Sequence, residues 1–475
     1  MTARERLHHY ASDDSERFEI PTFEQLMVRE DRPSRTQRVP IGIVGLLAAA
    51  AVVLVVVTVS RSALPAEVGG SAPPTVSAGT QVAITADAAA FHGLGKLAFS
   101  TRAGLHVLDG SGGPLVRVAD AGPARWSPDG RWLAYAQRSG SGGELWFARA
   151  DGTGQQKVAG LPSFAGVAIE WSPTESVLAV APQGGPAAAG LWTVRPNERA
   201  TLFAARDSAV WSFAWSPGGD AIAYSVTLPA ADPASRSDAL FTVSMGNAAT
   251  QERFVADRAG ILGIGWWPDG RGILYYRDPD HSASLLMDGV PLESRSLDGS
   301  RRSGTFGEPR IDTFDAWIDA HRFIAVLGVD RFATANRHLA ICDIESLVCR
   351  VVVPSTSLVD MEAAVSFDRT KVAFVRAVDR GPSAGFASDA DEQSWLATRT
   401  LWILDLASST SRPVTSAGSG IFSPAWSRDG RQILVTRSQS AWLYDINADS
   451  LRKLLTPLDP AAPLAGSGWT FDWLR

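Results

Sequence analysis

The chain has 475 residues, of which 45% are hydrophobic and 20% charged, so it can bury the core of one large domain or two ordinary ones. Its 44 basic and 50 acidic residues are interspersed and give a formal net charge of -6, which excludes a basic nucleic-acid-binding protein. Only four of the basic residues are lysine, and alanine and glycine are abundant, a composition typical of GC-rich bacterial genomes.

Residues 40–60 form an uninterrupted apolar segment. The segment has about 20 residues without a charge, the length that an α-helix needs to cross roughly 30 Å of hydrocarbon. Four arginines precede it closely, whereas Arg61 alone follows it directly. The positive-inside rule then places the N-terminus in the cytoplasm and the remainder of the chain outside it. The sequence therefore predicts a single-pass transmembrane helix in the cell membrane.

A cleaved signal peptide is the alternative interpretation of this segment. The apolar region of a signal peptide is usually shorter and follows a short basic stretch, whereas 39 residues precede the span here. The pattern therefore favours an uncleaved anchor.

The segments on either side of the span differ in composition. Residues 1–39 are polar and charged, which predicts a cytoplasmic tail that either docks a cytoplasmic partner or lies along the membrane surface. Residues 61–95 are rich in Ala, Gly, Pro, Ser and Thr and are typical of a linker. Residues 96–475 then form the extracytoplasmic domain.

This domain is repetitive, and its tryptophans mark the repeat. Residues 126–130 read Trp-Ser-Pro-Asp-Gly and are followed by an apolar β-type run. Copies of the unit are spaced 44 to 61 residues apart, close to the roughly 40–50 residues of a four-stranded propeller blade. The copies begin at Trp126, Trp171, Trp215, Trp266, Trp317, Val365, Trp426 and Trp473. The count predicts an all-β, eight-bladed β-propeller, or a seven-bladed one if a degenerate copy is not a full blade.

The repeat unit has a clear physical interpretation. Ser-Pro-Asp-Gly favours a type I turn, which joins the inner strand a of a blade to strand b. The tryptophan before the turn can fill the wedge between neighbouring blades with its large ring. The copies at Trp317 and Val365 keep the spacing but are expected to lack the turn residues.

The two ends of the domain complement each other. Residues 96–119 supply strands b, c and d of a blade without a preceding motif tryptophan, and residues 468–473 match the pattern of strand a. We therefore expect the C-terminal strand to complete the first blade and close the ring.

The Trp-Ser-Pro-Asp-Gly repeat resembles the TolB-type propeller repeat. The resemblance covers about 380 residues and implies a propeller, although eight blades exceed the six usual in TolB. The family includes envelope scaffolds, sensor domains and propellers attached to peptidases, so the resemblance implies architecture rather than one function.

Cys342 and Cys349 are the only cysteines, and they flank a candidate hairpin that turns at residues 345–346. Symmetric positions of a hairpin face each other, so the sequence predicts a disulfide on the oxidising side of the membrane. A register slip would instead leave two reduced neighbours.

Other chemical motifs point to solvated loops. Residues 381–385 match the Gly-x-Ser-x-Gly pattern, but no α/β sheet with later acid and histidine partners follows. Asp389, Asp391 and Glu392 follow in the same segment and are either cation ligands or, as we expect, a solvated acidic loop. The seven histidines have no metal-ligand spacing, so no catalytic residue, cofactor or metal site is predicted.

The longest insertions lie between strands b and c, at about 226–239, 276–284 and 377–399. They share the face opposite the Ser-Pro-Asp-Gly turns, and we expect a protein, peptide or glycan partner there. Because the linker should enter strand b from the turn face, that face is expected to look toward the membrane.

The leading functional hypothesis is a non-enzymatic, membrane-tethered propeller that acts as an interaction scaffold in the bacterial envelope. A sensor that couples an external ligand to the cytoplasmic tail is the alternative. A quinoprotein-like enzyme ranks last, because the repeats lack the Thr-Gly-containing tryptophan docking pattern of that family.

Overall fold

The computed structural model describes residues 83–458 and 471–474, with short gaps between them. The gaps are residues 102, 121, 141, 185–188, 206, 231–234, 280–289, 307, 310–316, 329–333 and 382–385. The predicted cytoplasmic tail and transmembrane span lie outside the described residues. Within the part that is described, no helix is long and apolar enough to cross a membrane.

Eight antiparallel sheets of four strands each form the domain, and one of them gains a fifth strand. The predicted eight-bladed propeller is thus confirmed, and the seven-bladed alternative is wrong. Strand β1 spans Thr85–Ala86. Blade 1 contains β2 (Lys96–Thr101), β3 (Gly104–Asp109) and β4 (Val116–Ala119), and blade 2 contains β5 (Ala124–Trp126), β6 (Trp132–Ser139), β7 (Gly142–Arg149) and β8 (Gln156–Lys157). Blade 3 contains β9 (Gly166–Trp171), β10 (Leu178–Gln183), β11 (Leu191–Val194) and β12 (Thr201–Ala204). Blade 4 contains β13 (Val210–Trp215), β14 (Ala221–Thr227), β15 (Asp238–Ser244) and β16 (Thr250–Ala256).

The second half of the ring repeats this order. Blade 5 contains β17 (Gly260–Trp266), β18 (Gly272–Asp278), β19 (Leu292–Ser296) and β20 (Gly304–Thr305), and blade 6 contains β21 (Glu308–Pro309), β22 (Arg322–Gly328), β23 (Arg337–Asp343) and β24 (Val348–Val351). Blade 7 contains β25 (Leu358–Val365), β26 (Lys371–Val378), β27 (Thr400–Asp405) and β28 (Thr410–Pro413). Blade 8 contains β29 (Phe422–Trp426), β30 (Gln432–Arg437), β31 (Ser440–Asp445) and β32 (Ser450–Thr456). The last strand is β33 (Phe471–Leu474).

The C-terminal strand closes the ring as predicted. β33 pairs antiparallel with β2, with Trp473 opposite Leu97 and Asp472 opposite Ala98. The sheet order β33-β2-β3-β4 makes β33 the inner strand of blade 1. The first blade is therefore built from both ends of the domain.

Part of the segment assigned to the linker belongs to the propeller. Thr85 and Ala86 in β1 pair with Thr456 and Leu455, so β1 becomes the outermost strand of blade 8. Phe91, a few residues later, is completely buried between blades 8 and 1.

Strand β1 also changes the direction from which the chain enters. β32 runs from the turn face to the opposite face, and β1 is antiparallel to it. The chain therefore reaches the propeller at the end of β32 farthest from the turns. The expected entry at the turn face is wrong, because the sequence pattern did not reveal this two-residue edge strand, and the orientation inferred from that entry loses its basis.

The Ser-Pro-Asp-Gly turn is held by its serine and aspartate side chains. In blade 2 the Ser127 hydroxyl donates to Asp129 Oδ1 over 2.6 Å and accepts from the backbone N–H of Trp132 over 3.0 Å. The N–H of Gly130 donates to the Ser127 carbonyl over 2.9 Å, and Gly130 has φ +65°. The fourth position thus needs the left-handed backbone that favours glycine.

The copy at Val365 keeps this turn, contrary to the expectation from its sequence. Ser366 donates to Asp368 Oδ1 over 2.6 Å and accepts from the N–H of Lys371 over 2.9 Å, as in blade 2. Arg369 takes the place of glycine at φ +59°. The serine and aspartate therefore maintain the turn without Pro or Gly.

The hydrophobic core is divided among the blade interfaces. The described residues form eight buried apolar clusters, and each contains side chains from two neighbouring blades. Phe147 of blade 2 and Trp171 of blade 3 illustrate this packing, with ring centroids 5.5 Å apart. Each blade thus depends on both neighbours for burial of its two faces.

A repeated indole hydrogen bond accompanies this packing. Four motif tryptophans donate Nε1–H to a backbone carbonyl of the preceding blade, always that of the residue just before the preceding motif position. The pairs are Trp171 to Arg125 at 3.0 Å, Trp215 to Glu170 at 3.1 Å, Trp266 to Ala214 at 3.0 Å and Trp426 to Ala364 at 2.9 Å. We call this set the indole belt.

The indole belt is interrupted where the ring closes. Trp473 donates instead to the carbonyl of Leu94, in its own blade, over 2.7 Å. Trp126 Nε1 is buried and has no hydrogen-bond partner among the described residues. The Trp126 backbone N–H is bound by the Asp472 carboxylate at 2.5 Å, so this interface has a different link.

We predict that Arg369→Gly stabilises the propeller by about 0.5–1 kcal/mol. Glycine adopts the left-handed backbone without a Cβ clash, and this gain is only partly offset by the larger chain entropy that glycine loses on folding. Gly430→Arg makes the reverse change at the matching position of blade 8. There a Cβ would meet nothing closer than Asp368 Oδ2 at 4.0 Å, so the cost comes from the backbone. Urea unfolding midpoints should rise for the first variant and fall for the second; an unchanged midpoint for Arg369→Gly would show that its backbone is unstrained.

We also predict that Trp171→Phe costs about 1–3 kcal/mol more than Trp126→Phe. Both rings are buried, with 7% and 5% exposure, but the first change leaves the Arg125 carbonyl without its indole donor. The Trp126 indole N–H has no such bond to lose among the described residues. Equal losses of stability in urea unfolding would mean that the indole belt contributes packing alone.

Candidate binding surfaces

The b–c connections are longest on four consecutive blades, and we call the face that carries them the loop face. In blades 4, 5 and 7 they span 228–237, 279–291 and 379–399, close to the predicted positions. Blade 6 carries a further insertion, 329–336, which the sequence analysis missed. The longest connections therefore belong to four consecutive blades rather than being spread around the ring.

The blade 7 insertion contains a helix, α1 (Asp389–Leu396), where the sequence analysis expected a solvated loop. Ser388 caps it by accepting a hydrogen bond from the N–H of Asp391 over 3.2 Å. Acidic side chains occupy its first turn, where the positive end of the helix dipole stabilises their negative charges. An eight-residue helix is marginal alone, so its buried Trp395 and Leu396 are needed to hold it.

Side chains around Arg380 fix α1 to its blade. The Arg380 guanidinium donates to both oxygens of Asp391, over 2.9 and 2.7 Å, and lies 4.8 Å from the centre of the Phe386 ring. Trp395 donates from Nε1 to the Val378 carbonyl over 2.8 Å. The helix is thus anchored at both of its ends.

The blade 7 insertion is also tied to that of blade 6. The backbone N–H of Arg380 donates to the Thr334 carbonyl over 3.0 Å. Asp379 Oδ2 accepts from the N–H of Asn336 over 2.9 Å. The two insertions therefore form one braced platform, which we call the α1 platform.

Of the acidic residues of α1, Asp391 is engaged in this platform. The hydrogen bonds from Arg380 hold the pKa of the Asp391 carboxyl below its usual range, and Asp391 also accepts from the N–H of Ala387. Burial, followed by repulsion from Asp389, raises the pKa of Glu392. No cluster of three metal-ligating side chains occurs in the described part of the chain. Residues 382–385 of the Gly-x-Ser-x-Gly pattern lie outside the described residues.

Two buried ion pairs secure blade 7 to its neighbours. Arg376 Nε lies 2.6 Å from Asp360 Oδ1, and Asp360 also accepts from the N–H of Leu339 in blade 6 over 2.8 Å. Arg399 Nη2 lies 2.5 Å from Glu362, whose other oxygen accepts from the N–H of Ser423 in blade 8. The sequence signal for these pairs was available, since Asp360 and Glu362 interrupt an otherwise apolar inner strand.

Cys342 and Cys349 lie directly opposite each other in β23 and β24. Their Cα atoms are 4.0 Å apart and the two sulfurs are bonded. The bridge closes the c–d hairpin of blade 6.

The motif tryptophans lie at the ends of inner strands, with the exception of Trp317. Trp317 belongs to no named strand and makes a single β-bridge to Phe323.

A second surface feature lies on the turn face, between blades 4 and 5. It is a groove of about 620 Å³, within the roughly 300–1,000 Å³ range of ligand pockets. Trp266 contributes to its wall together with Thr242, Gln251 and Arg253. Asp220, Asp269 and Asp298 also line it. The sequence pattern does not reveal this groove.

No protein-family model and no curated protein matches the chain. Solved structures do match, among them an oligogalacturonate lyase in complex with manganese, at 12% identity and a TM-score of 0.43, over 70% of this chain and 88% of that one. A eukaryotic initiation factor matches at 16% identity and a TM-score of 0.48, over 81% of this chain and 90% of that one.

The tricorn protease matches at 12% identity and a TM-score of 0.42, over 81% of this chain but only 34% of its own. Matches at these levels carry no functional assignment. The likeness to the TolB-type repeat therefore stays a prediction from the Trp-Ser-Pro-Asp-Gly motif.

We predict that Asp391→Asn loosens the α1 platform and makes limited proteolysis within 379–399 severalfold faster, because the charge-assisted pairing with Arg380 is lost. Asp389→Asn removes a charge from the same helical turn, but its exposed side chain makes no ion pair with the described residues. This control should be cut at the wild-type rate. Equal acceleration in both variants would attribute the effect to the helix dipole rather than to Arg380.

Proposed function

We propose that this protein is a non-enzymatic, membrane-tethered scaffold of the bacterial envelope that binds a protein, peptide or glycan through its loop face. The observation that carries the proposal is the α1 platform. Its backbone and its buried side chains are fixed by Arg380 and by the hydrogen bonds to the blade 6 insertion. A rigid scaffold that presents loops is a common basis for recognition.

The surface of the α1 platform suits a polar partner. Ser388, Asp389, Gln393 and Ser394 are exposed, while Trp395 and Leu396 are turned into the blade. The exposed side chains offer both donors and acceptors of hydrogen bonds. The carboxylates of Asp379 and Asp391 are already engaged within the platform, which favours a binding role over a catalytic one.

Two features support an extracytoplasmic location. The apolar segment 40–60 has the length and flanking charges of an anchor with its N-terminus in the cytoplasm. The Cys342–Cys349 bridge belongs to an oxidising compartment.

The entry point of the chain sets how the tethered propeller is presented. Because β1 begins at the loop-face end of blade 8, the segment from residue 61 to residue 84 joins the propeller at the edge of the loop face. The loop face is then the face nearer to the membrane. This arrangement favours a partner that itself lies at or close to the membrane surface.

The proposal predicts that Asp389→Arg or Gln393→Arg abolishes capture of a partner crosslinked to the full-length protein in membranes. Each change places a long cation on the exposed side of α1 without altering the buried contacts. Glu198→Arg is the matched control for Asp389→Arg, because it makes the same charge reversal at an exposed position on the turn face. Crosslinked species should be identified by mass spectrometry.

A version lacking residues 1–39 separates the scaffold from the sensor. A scaffold keeps its extracytoplasmic partner when the tail is removed. If the α1 variants capture the same partners as wild type and only removal of the tail changes them, the scaffold proposal is wrong and signalling through the tail takes its place.

A further inference from the structure

The interface between blades 4 and 5 differs on the turn-face side from the interface between blades 2 and 3. In blade 2, Phe147 of strand c covers Trp171 of the next blade, with ring centroids 5.5 Å apart. The strand registers place Thr242 of blade 4 at the position of Phe147. A small polar side chain therefore stands where an aromatic ring covers the next tryptophan.

The outer strand of blade 4 shows a second replacement of the same kind. In blade 3, Phe203 occupies a bulge of strand d and packs against the cluster that contains Trp215. The corresponding bulge in blade 4 holds Arg253. Blade 3 also has a threonine, Thr193, at the strand c position, but there Phe203 packs against the tryptophan cluster. Blade 4 has a polar residue at both positions, and Arg253 is the replacement that distinguishes it from blade 3.

The consequence is an uncovered aromatic ring. Trp266 is half-buried, whereas Trp126, Trp171, Trp215 and Trp426 are at most 7% exposed. Trp266 keeps its indole hydrogen bond to the preceding blade, so its position in the belt is unchanged. The space left by the two replacements forms the groove of about 620 Å³.

Arg253 lies in this groove, and no described residue provides it with a counterion. Its Nε donates to Thr242 Oγ1 over 2.7 Å, and no carboxylate of the described residues lies within ion-pair distance. Burial lowers the pKa of Arg253, although a guanidinium stays charged at neutral pH. A ligand that enters the groove must therefore offer acceptors to this side chain.

The carboxylates around the groove require that the ligand also offer hydrogen-bond donors. Asp220 is bound by the Ser216 hydroxyl at 2.6 Å, and Asp269 by Arg301 at 2.6 Å, which leaves further lone pairs that can accept. A strongly anionic ligand would be repelled by these side chains. The groove thus calls for a neutral ligand with both donors and acceptors, and with an apolar face for Trp266.

We propose that the groove between blades 4 and 5 binds a neutral oligosaccharide. Sugar hydroxyls both donate and accept hydrogen bonds, and the C–H face of a pyranose ring can stack on an indole. An extended peptide fits less well, because peptides usually pair with a free strand edge and this groove lies between the faces of two sheets. The groove is on the face opposite the α1 platform, so this inference is independent of the proposed scaffold function.

The test is saturation-transfer NMR on the purified full-length protein with cellotetraose, maltotetraose and chitotetraose as probes, and with tetra-alanine as the peptide probe. At least one sugar should receive saturation, strongest on the C–H protons of one ring face. Arg253→Phe, which copies Phe203 of blade 3, should fill the groove and weaken binding by at least roughly tenfold, about 1.4 kcal/mol.

Two further variants keep the result interpretable. Glu252→Phe adds the same ring to the same strand at an exposed position that does not line the groove, and it should bind sugar as wild type does. Arg253→Met removes the guanidinium with a smaller change in packing and should also weaken binding. Absence of sugar binding, binding of tetra-alanine instead, or sugar binding unchanged in both Arg253 variants would overturn the proposal. Partner capture by the α1 platform should be unaffected in all three variants.

Discussion

The packing of an apolar side chain, at most interfaces a tryptophan, from the end of each inner strand against the preceding blade is the interaction on which the remaining structure depends. Among the described strands the eight sheets share no ladder, so no backbone hydrogen-bond network of the kind that holds a single sheet together joins one blade to the next. Apolar burial between their faces joins them, and at four interfaces an indole N–H reaches the inner strand of the preceding blade. Side-chain carboxylates add further links at the seam and on both sides of blade 7. The indole bond satisfies a polar ring atom where it is buried and fixes the tilt of one blade against another.

Closure of the ring follows from this division of the core. A blade with only one neighbour would leave one apolar face in water, so the first and last blades must meet. The chain solves this in three ways at the same seam: β33 completes blade 1, β1 extends blade 8, and Phe91 is buried between them. The indole belt is irregular here because β33 comes from the far end of the chain, and a carboxylate of β33 replaces an indole as the link to blade 2.

The architecture was predictable because its signal is long-range and periodic. Eight motif positions at blade-length spacing, with complementary ends, leave little freedom in the count of blades. The turn at Val365 was underestimated because Pro and Gly were weighted above Ser366 and Asp368, which make the hydrogen bonds. A turn whose glycine is replaced by Arg369 is strained but not lost.

The candidate binding surfaces were harder to predict, because they depend on tertiary contacts. Helix α1 is too short to be recognised from periodicity, and Trp395 makes it stable only against blade 7. The groove has an even weaker signal, since it arises from the absence of an apolar side chain at two positions that only the strand registers identify. Strand β1, with two residues, carries no pattern at all.

The distribution of these irregular features around the ring has a physical reason. In a ring of eight blades, the interface between blades 4 and 5 lies half-way round from the seam between blades 8 and 1. The seam must carry the closing contacts, so apolar packing cannot be given up there without opening the ring. An interface far from the seam has complete four-stranded blades on both sides. It can therefore have Thr242 and Arg253 in place of a covering aromatic ring without opening the ring of blades. The long insertions lie on the same side, on blades 4 to 7, where they add to complete sheets. The blades that do not close the ring are therefore those free to acquire binding surfaces.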